Sequence, residues 1–114
     1  DHAAMIPQAL AQARKTGARQ VKVEIEVRDL DEFRAALTGG ADLILLDHWP
    51  VESLREAVML RRQTSQPGRT VLLEASGGIT LDDVSAVAAT GVDFISIGAL
   101  TRDAPGLDVS LDIV

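Results

Sequence analysis

Three carboxylates and two glycine-bearing turns stand where short apolar runs give way to polar residues. Glu26 lies near the end of VKVEIEV, Asp47 closes LILLD, and Glu74 follows Val71-Leu72-Leu73 and leads into Ala75-Ser76-Gly77-Gly78. Gly98-Ala99 follows the run from Phe94 to Ile97. Carboxylates gathered in one place can hold a hydrated Mg²⁺, accept hydrogen bonds from sugar hydroxyls, or stabilise a cationic transition state. Paired glycines let the chain bend and bring its N–H groups close to a ligand. A helix starting at Thr80-Leu81-Asp82-Asp83 would add free N–H groups and a positive dipole end, which together suit a phosphate. Each feature has a plainer use on its own: the glycines as a tight βα turn, the acids as caps or solvated rim residues. Only their joint placement makes a site.

That placement depends on the elements between them. Residues 4 to 16 carry Ile6, Leu10 and Ala13 at helical spacing, with Gly17 as a C-cap. Val21 to Val27 alternates strictly, which predicts a strand with Val21, Val23, Ile25 and Val27 on one side and Lys22, Glu24 and Glu26 on the other. Asp29 with Glu32 forms a capping box, Leu30, Phe33 and Leu37 give the next helix its apolar side, and Gly39-Gly40 ends it. Leu43 to Leu46 reads as a buried strand, and Pro50 opens a helix striped by Val51, Leu54 and Val58. After a polar loop from Gln63 to Arg69 comes the strand before Glu74, then a helix with Leu81, Val84 and Val87 on its face and Gly91 at its end. Phe94 to Ile97 is the fourth strand. The tail from Leu107 alternates through Val109, Leu111 and Ile113 and reads as extended or weakly strand-like.

Gly40-Ala41-Asp42 precedes the second strand as Gly91-Val92-Asp93 precedes the fourth, an internal echo. The order α-β-α-β-α-β-α-β predicts an α/β fold with a parallel sheet and right-handed crossovers. A flat doubly wound sheet and part of a (β/α) barrel share that order. Glu24 and Glu26 on one strand face favour the barrel, because burying them under helices is costly while lining a lumen near its open mouth is not. In either fold, Glu26, Asp47, the Ser76-Gly77-Gly78 turn and Gly98-Ala99 converge on the C-terminal rim of the strands, where ligands bind.

The whole chain sets outer bounds. Its 114 residues fit one small domain, and 46% hydrophobic with 25% charged residues is globular composition. A net charge of −6 with Phe33, Trp49 and Phe94 as the only large aromatics argues against a nucleic-acid surface. The absence of cysteine removes disulfides and thiolate metal sites and fits a reducing, cytoplasmic setting. No apolar run approaches the roughly 18 residues that span a bilayer, so no membrane is expected. The abrupt start at Asp1-His2, one residue from a helical pattern, suggests a piece of something longer.

VEIEV, the LILLD strand end, LLEASGGIT, GVDFISIGALT and APGLDVSLDI, in that order, resemble the C-terminal part of quinolinate phosphoribosyltransferase, also called nicotinate-nucleotide pyrophosphorylase (carboxylating). The resemblance runs over essentially the whole chain. It implies the last four strands, residues 1–114, of a TIM-like (β/α) barrel, without the family's N-terminal α/β sandwich domain and first barrel strands. It also implies an enzyme of NAD biosynthesis that joins quinolinate to phosphoribosyl pyrophosphate with Mg²⁺. That reaction releases pyrophosphate and CO₂ and yields nicotinate mononucleotide. No organic cofactor is implied, and the partner is a second copy, in a homodimer or higher homo-oligomer. By position, Glu26 and Asp47 match the acidic pair beside the ribose and its Mg²⁺. Ser76, Gly77, Gly78, Gly98 and Ala99 match the loops that hold the 5′-phosphate, and His2 matches the histidine of a Lys-Asp-Asn-His segment.

Departures accompany the match. Asp1 replaces the usual Asn, the lysine before it is absent, and Arg102-Asp103 replaces His-Ser. His48-Trp49 stands where Asn with Phe or Met is common. Two other readings remain: a related pyrophosphorylase-like protein of molybdenum operons, and a non-catalytic, engineered half-barrel that at most binds phosphate.

Overall fold

The computed structural model describes residues 2–16, 22–64, 67–97 and 110–112. Its elements are α1 (His2–Thr16), β1 (Glu24–Val27), α2 (Leu30–Gly39), β2 (Leu43–Asp47), α3 (Val51–Gln63), β3 (Leu72–Ser76), α4 (Val84–Ala88), β4 (Phe94–Ser96) and β5 (Ser110–Asp112). Strands β1 to β4 are parallel and lie side by side in chain order, while β5 runs antiparallel along β4. A doubly wound sheet reverses its strand order part-way; this one does not, and unbroken order is the arrangement of a (β/α) barrel wall.

The pleat divides the strands cleanly. Val27, Ile44, Leu46, Leu73, Ala75 and Ile95 are buried against Ile6, Leu10, Phe33, Ala36, Leu54, Ala57, Val58 and Val87 of the helices. The opposite face presents Glu24, Glu26, Leu43, Leu45, Asp47, Leu72, Glu74, Ser76, Phe94 and Ser96, all exposed or half-buried. The glutamates therefore point away from the helices, as the alternation of β1 requires.

The Gly-x-Asp echo is a structural device. Val23 N donates to Asp42 Oδ2 at 2.7 Å while its carbonyl accepts from Asp42 N at 2.9 Å. Leu73 N donates to Asp93 Oδ2 at 2.8 Å while its carbonyl accepts from Asp93 N at 2.9 Å. Each aspartate thus clasps the neighbouring strand at its N-terminal end. Arginines brace the same corners: Arg61 donates to Asp93, Val71 O and Gly91 O, and Arg69 to Gly40 O and Ala41 O.

Several sequence expectations are corrected. The first strand begins at Glu24, three residues later than the alternation from Val21 predicts, because β2 offers partners only from Leu43 onward; Val21 lies outside the described residues. The last helix is five residues long, Val84–Ala88, and Leu81 is 62% exposed in the turn before it. Asp83 Oδ2 accepts from Thr80 N and Thr80 Oγ1, a local turn that competes with helix. The capping box is shifted. Asp29 Oδ1 accepts from Glu32 N as expected, but Glu32 Oε1 accepts from Arg28 N, one residue before the cap. Of the alternating tail, 110–112 forms β5, and the remainder, with Gly17, lies outside the described residues.

Candidate functional site

Asp47 and Ser76 end adjacent strands and sit opposite one another in register. The ladder continues one step further, with His48 N donating to Ser76 O at 2.9 Å. Ser76 Oγ donates to Asp47 Oδ1 at 3.4 Å, and His48 Nδ1 stands 3.1 Å from Asp47 Oδ2. Glu74 shares this sheet face and is held by Ser96 Oγ at 2.7 Å. Glu26 lies in the same cross-strand row through Leu45. Strand spacing and rise put the Cα atoms of Glu26 and Asp47 about 8 Å apart.

Gly77 and Gly78 both take positive φ, 83° and 70°, so the chain turns in a conformation other residues rarely hold. The two glycines are not equivalent. A Cβ at Gly77 would fall 2.5 Å from His48 Nδ1 and 2.6 Å from Asp47 Oδ1, whereas one at Gly78 would meet nothing closer than 3.6 Å. A side chain at Gly77 would have to displace Asp47 and His48, whereas Gly78 is open. Among the described residues, the backbone N–H groups of Gly77, Gly78 and Ile79 have no protein acceptor. Backbone donors without acceptors at a rim are suited to anion oxygens. The helix-dipole component expected from the sequence is withdrawn: α4 starts only at Val84 and is too short to direct a field at the turn.

The structure brings Glu26, Asp47, Ser76, Gly77 and Gly78 to one end of one sheet face. His2 opens α1, and its side chain, like Gly98 and Ala99, lies outside the described residues. Sequence reasoning named His48 only as a departure; its position immediately after a strand-end aspartate was the available signal. Trp49 also matters here: its Nε1 donates to Val27 O at 3.1 Å and its ring meets Phe33 edge-on, with centroids 6.0 Å apart. That contact ties the start of α3 to the end of β1.

Two cavities bear on the assignment. One of about 270 Å³ adjoins the site, between Arg28, Leu30, His48, Trp49 and Ser53. A larger one of about 550 Å³ lies at the other end of the strands, beside Arg61, Arg69, Thr70 and Asp93. Arg61 and Arg69 there are committed to backbone carbonyls and Asp93. Among the described residues no three His, Asp or Glu side chains converge as a metal cage. A Mg²⁺ that keeps its waters and substrate phosphates would take only one or two carboxylates, a number Glu26 and Asp47 could supply. No helix among the described residues is long and apolar enough to cross a membrane.

Residues 1–112 match the family described as quinolinate phosphoribosyl transferase, C-terminal domain. The chain is similar to the probable nicotinate-nucleotide pyrophosphorylase (carboxylating) of Bacillus subtilis, 35% identical over 108 residues, covering 95% of this chain and 35% of that protein. It is also similar to the nicotinate-nucleotide pyrophosphorylase (carboxylating) of Mycobacterium leprae, 41% identical over 99 residues, covering 87% of this chain and 34% of that protein. In structure it resembles the nicotinate-nucleotide pyrophosphorylase of Francisella tularensis, with a TM-score of 0.73 at 36% identity, covering 94% of this chain and 34% of that one. The chain therefore spans about a third of the length of the curated relatives it matches.

Proposed function

The chain belongs to the quinolinate phosphoribosyl transferase C-terminal domain family, and from that membership we propose that it supplies the ribose-phosphate half of a phosphoribosyltransferase site. The proposed reaction condenses quinolinate with phosphoribosyl pyrophosphate to nicotinate mononucleotide, pyrophosphate and CO₂. The observation that carries this reading is the strand-end Asp47 joined to a Ser-Gly-Gly turn whose Gly77 and Gly78 N–H groups have no protein acceptor among the described residues.

In this reading Gly77, Gly78 and Ile79 N–H groups, with Ser76, receive the 5′-phosphate, and Gly98, Ala99 and His2 complete its surroundings. Asp47 and Glu26 flank the ribose. Departure of pyrophosphate leaves positive charge on the sugar ring, and fixed carboxylates stabilise it without having to reorganise. Glu26 and Asp47, together with the substrate's own phosphates, would hold a Mg²⁺, which would supply charge neutralisation for the leaving pyrophosphate. No organic cofactor is needed for this chemistry. The enzyme is proposed to work in the cytoplasm as a homodimer or higher homo-oligomer. The uncovered sheet face and the unpaired outer edge of β1 among the described residues support self-association.

The test is product formation by the full-length protein given quinolinate, phosphoribosyl pyrophosphate and Mg²⁺. Nicotinate mononucleotide should appear with equimolar CO₂, and Asp47→Asn should lower kcat by about a hundredfold, the usual loss of one transition-state electrostatic contact. Failure to form product, or an Asp47→Asn variant as active as the parent, would refute the assignment.

A further inference from the structure

The cavity of about 550 Å³ at the N-terminal ends of the strands carries the opposite charge to the chain that holds it. Arg34 of α2, Arg61 and Arg62 of α3, and Arg69 of the loop after α3 line it, against one carboxylate, Asp93. The whole chain has a net charge of −6. One sign of charge gathered in a cleft focuses its field on ligands of the other sign.

Two of the four arginines have structural work. Arg69 donates to Gly40 O and Ala41 O at the end of α2, and Arg61 to Gly91 O past the end of α4, to Val71 O and to Asp93. These bonds cover carbonyls whose partial negative charge would otherwise repel an anion. Arg34 and Arg62 are left over. Arg34 stands 3.5 Å from an Asp31 that is 84% exposed, a surface pair of the kind that holds weakly in water. Arg62 has no hydrogen-bond or ion-pair partner among the described residues, and its Nη2 would lie 3.6 Å from a Cβ at Gly91. It stands in the last turn of α3, where a cation offsets the helix dipole, but that role calls for neither a cavity nor a second arginine from α2. Thr70 adds a hydroxyl to the lining, and Leu37, Leu60 and Val71 add apolar surface.

We propose that this cavity binds a phosphate monoester with an apolar or aromatic body, its phosphate on Arg34, Arg62 and Thr70 and its body on Leu37, Leu60 and Val71. Such a phosphate carries about −1.5 to −2 charge near neutral pH, which two guanidinium groups match, and their planar forks suit its oxygens. The volume is that of a site for a small organic ligand and more than a bare phosphate needs. No residue of the rim site takes part, so the proposal stands apart from the transferase reading.

The test uses the ¹⁵N-labelled full-length protein with adenosine 5′-monophosphate as the probe. The probe should shift the amide signals of Thr38, Arg62, Thr64 and Thr70 saturably, and adenosine at the same concentration should leave them in place. Inorganic phosphate should bind more weakly than the ester. Arg34→Gln and Arg62→Gln, at exposed positions that leave the fold intact, should each weaken binding about tenfold, the loss of one charge-assisted contact. Arg62→Lys, which keeps the charge but loses the fork, should recover part of that loss. Signals of Gly77 and Gly78 report the rim separately. Shifts confined to those glycines, equal shifts with adenosine, or unchanged affinity in both glutamine variants would each overturn the proposal. Inorganic phosphate binding as tightly as the ester would overturn the ligand class, since the apolar lining would then contribute nothing.

Discussion

At Gly77 and Gly78 the same residue type serves two purposes, and substitution should separate them. Gly78→Ala meets open space and carries only the left-handed backbone cost, about 1 kcal/mol. Gly77→Ala adds a clash with Asp47 and His48, so its loss of stability should exceed that of Gly78→Ala by about 1–2 kcal/mol in denaturant unfolding. Equal losses would mean that the Asp47–His48 packing is not the reason for Gly77. The sequence made Gly77-Gly78 visible as a turn but gave no sign of this asymmetry. It depends on a residue in another loop, and contacts across the sheet leave no local spacing to read.

Elements were legible wherever a segment's own pattern decided its structure. α2 is the clear case: Asp29 caps it and Gly40 at φ 87° ends it, as the residue types require. β1 and α4 were misjudged because a neighbour decided them. The reach of β2 sets the length of β1, and the Thr80–Asp83 turn delays α4. The echo before β2 and β4 was legible as repetition but not as a clasp. Removing one clasp should be costly. Asp93→Ala strands Leu73 N–H and an Arg61 side chain only 18% exposed, which predicts a loss of about 3 kcal/mol in unfolding experiments. A change under 1 kcal/mol would show the clasp to be incidental. Trp49→Phe, which keeps the ring against Phe33 but drops the bond to Val27 O, should cost about 1 kcal/mol.

For the molecule as a whole, the barrel was inferable from two glutamates on one strand face, and the sequential strand order agrees with it. The antiparallel β5 was only hinted at, since alternation in a tail does not say which edge it will meet. It covers β4 and leaves β1 and β5 as the edge strands among the described residues. The face bearing Leu43, Leu45, Leu72 and Phe94 also lacks an opposing wall there. Covering it is worth about 25 cal/mol per Å², so the isolated 114-residue chain should self-associate; light scattering on dilute protein finding only monomer would contradict this. With about a third of its relatives' length, the same chain should form no nicotinate mononucleotide at a rate near theirs. The Asp42 and Asp93 clasps carry a longer-term consequence. They hold strand alignment at the pole away from the rim, and none of the candidate phosphoribosyl-binding groups among the described residues sits there. A lineage can therefore let rim positions drift without renegotiating how the strands are inherited in register.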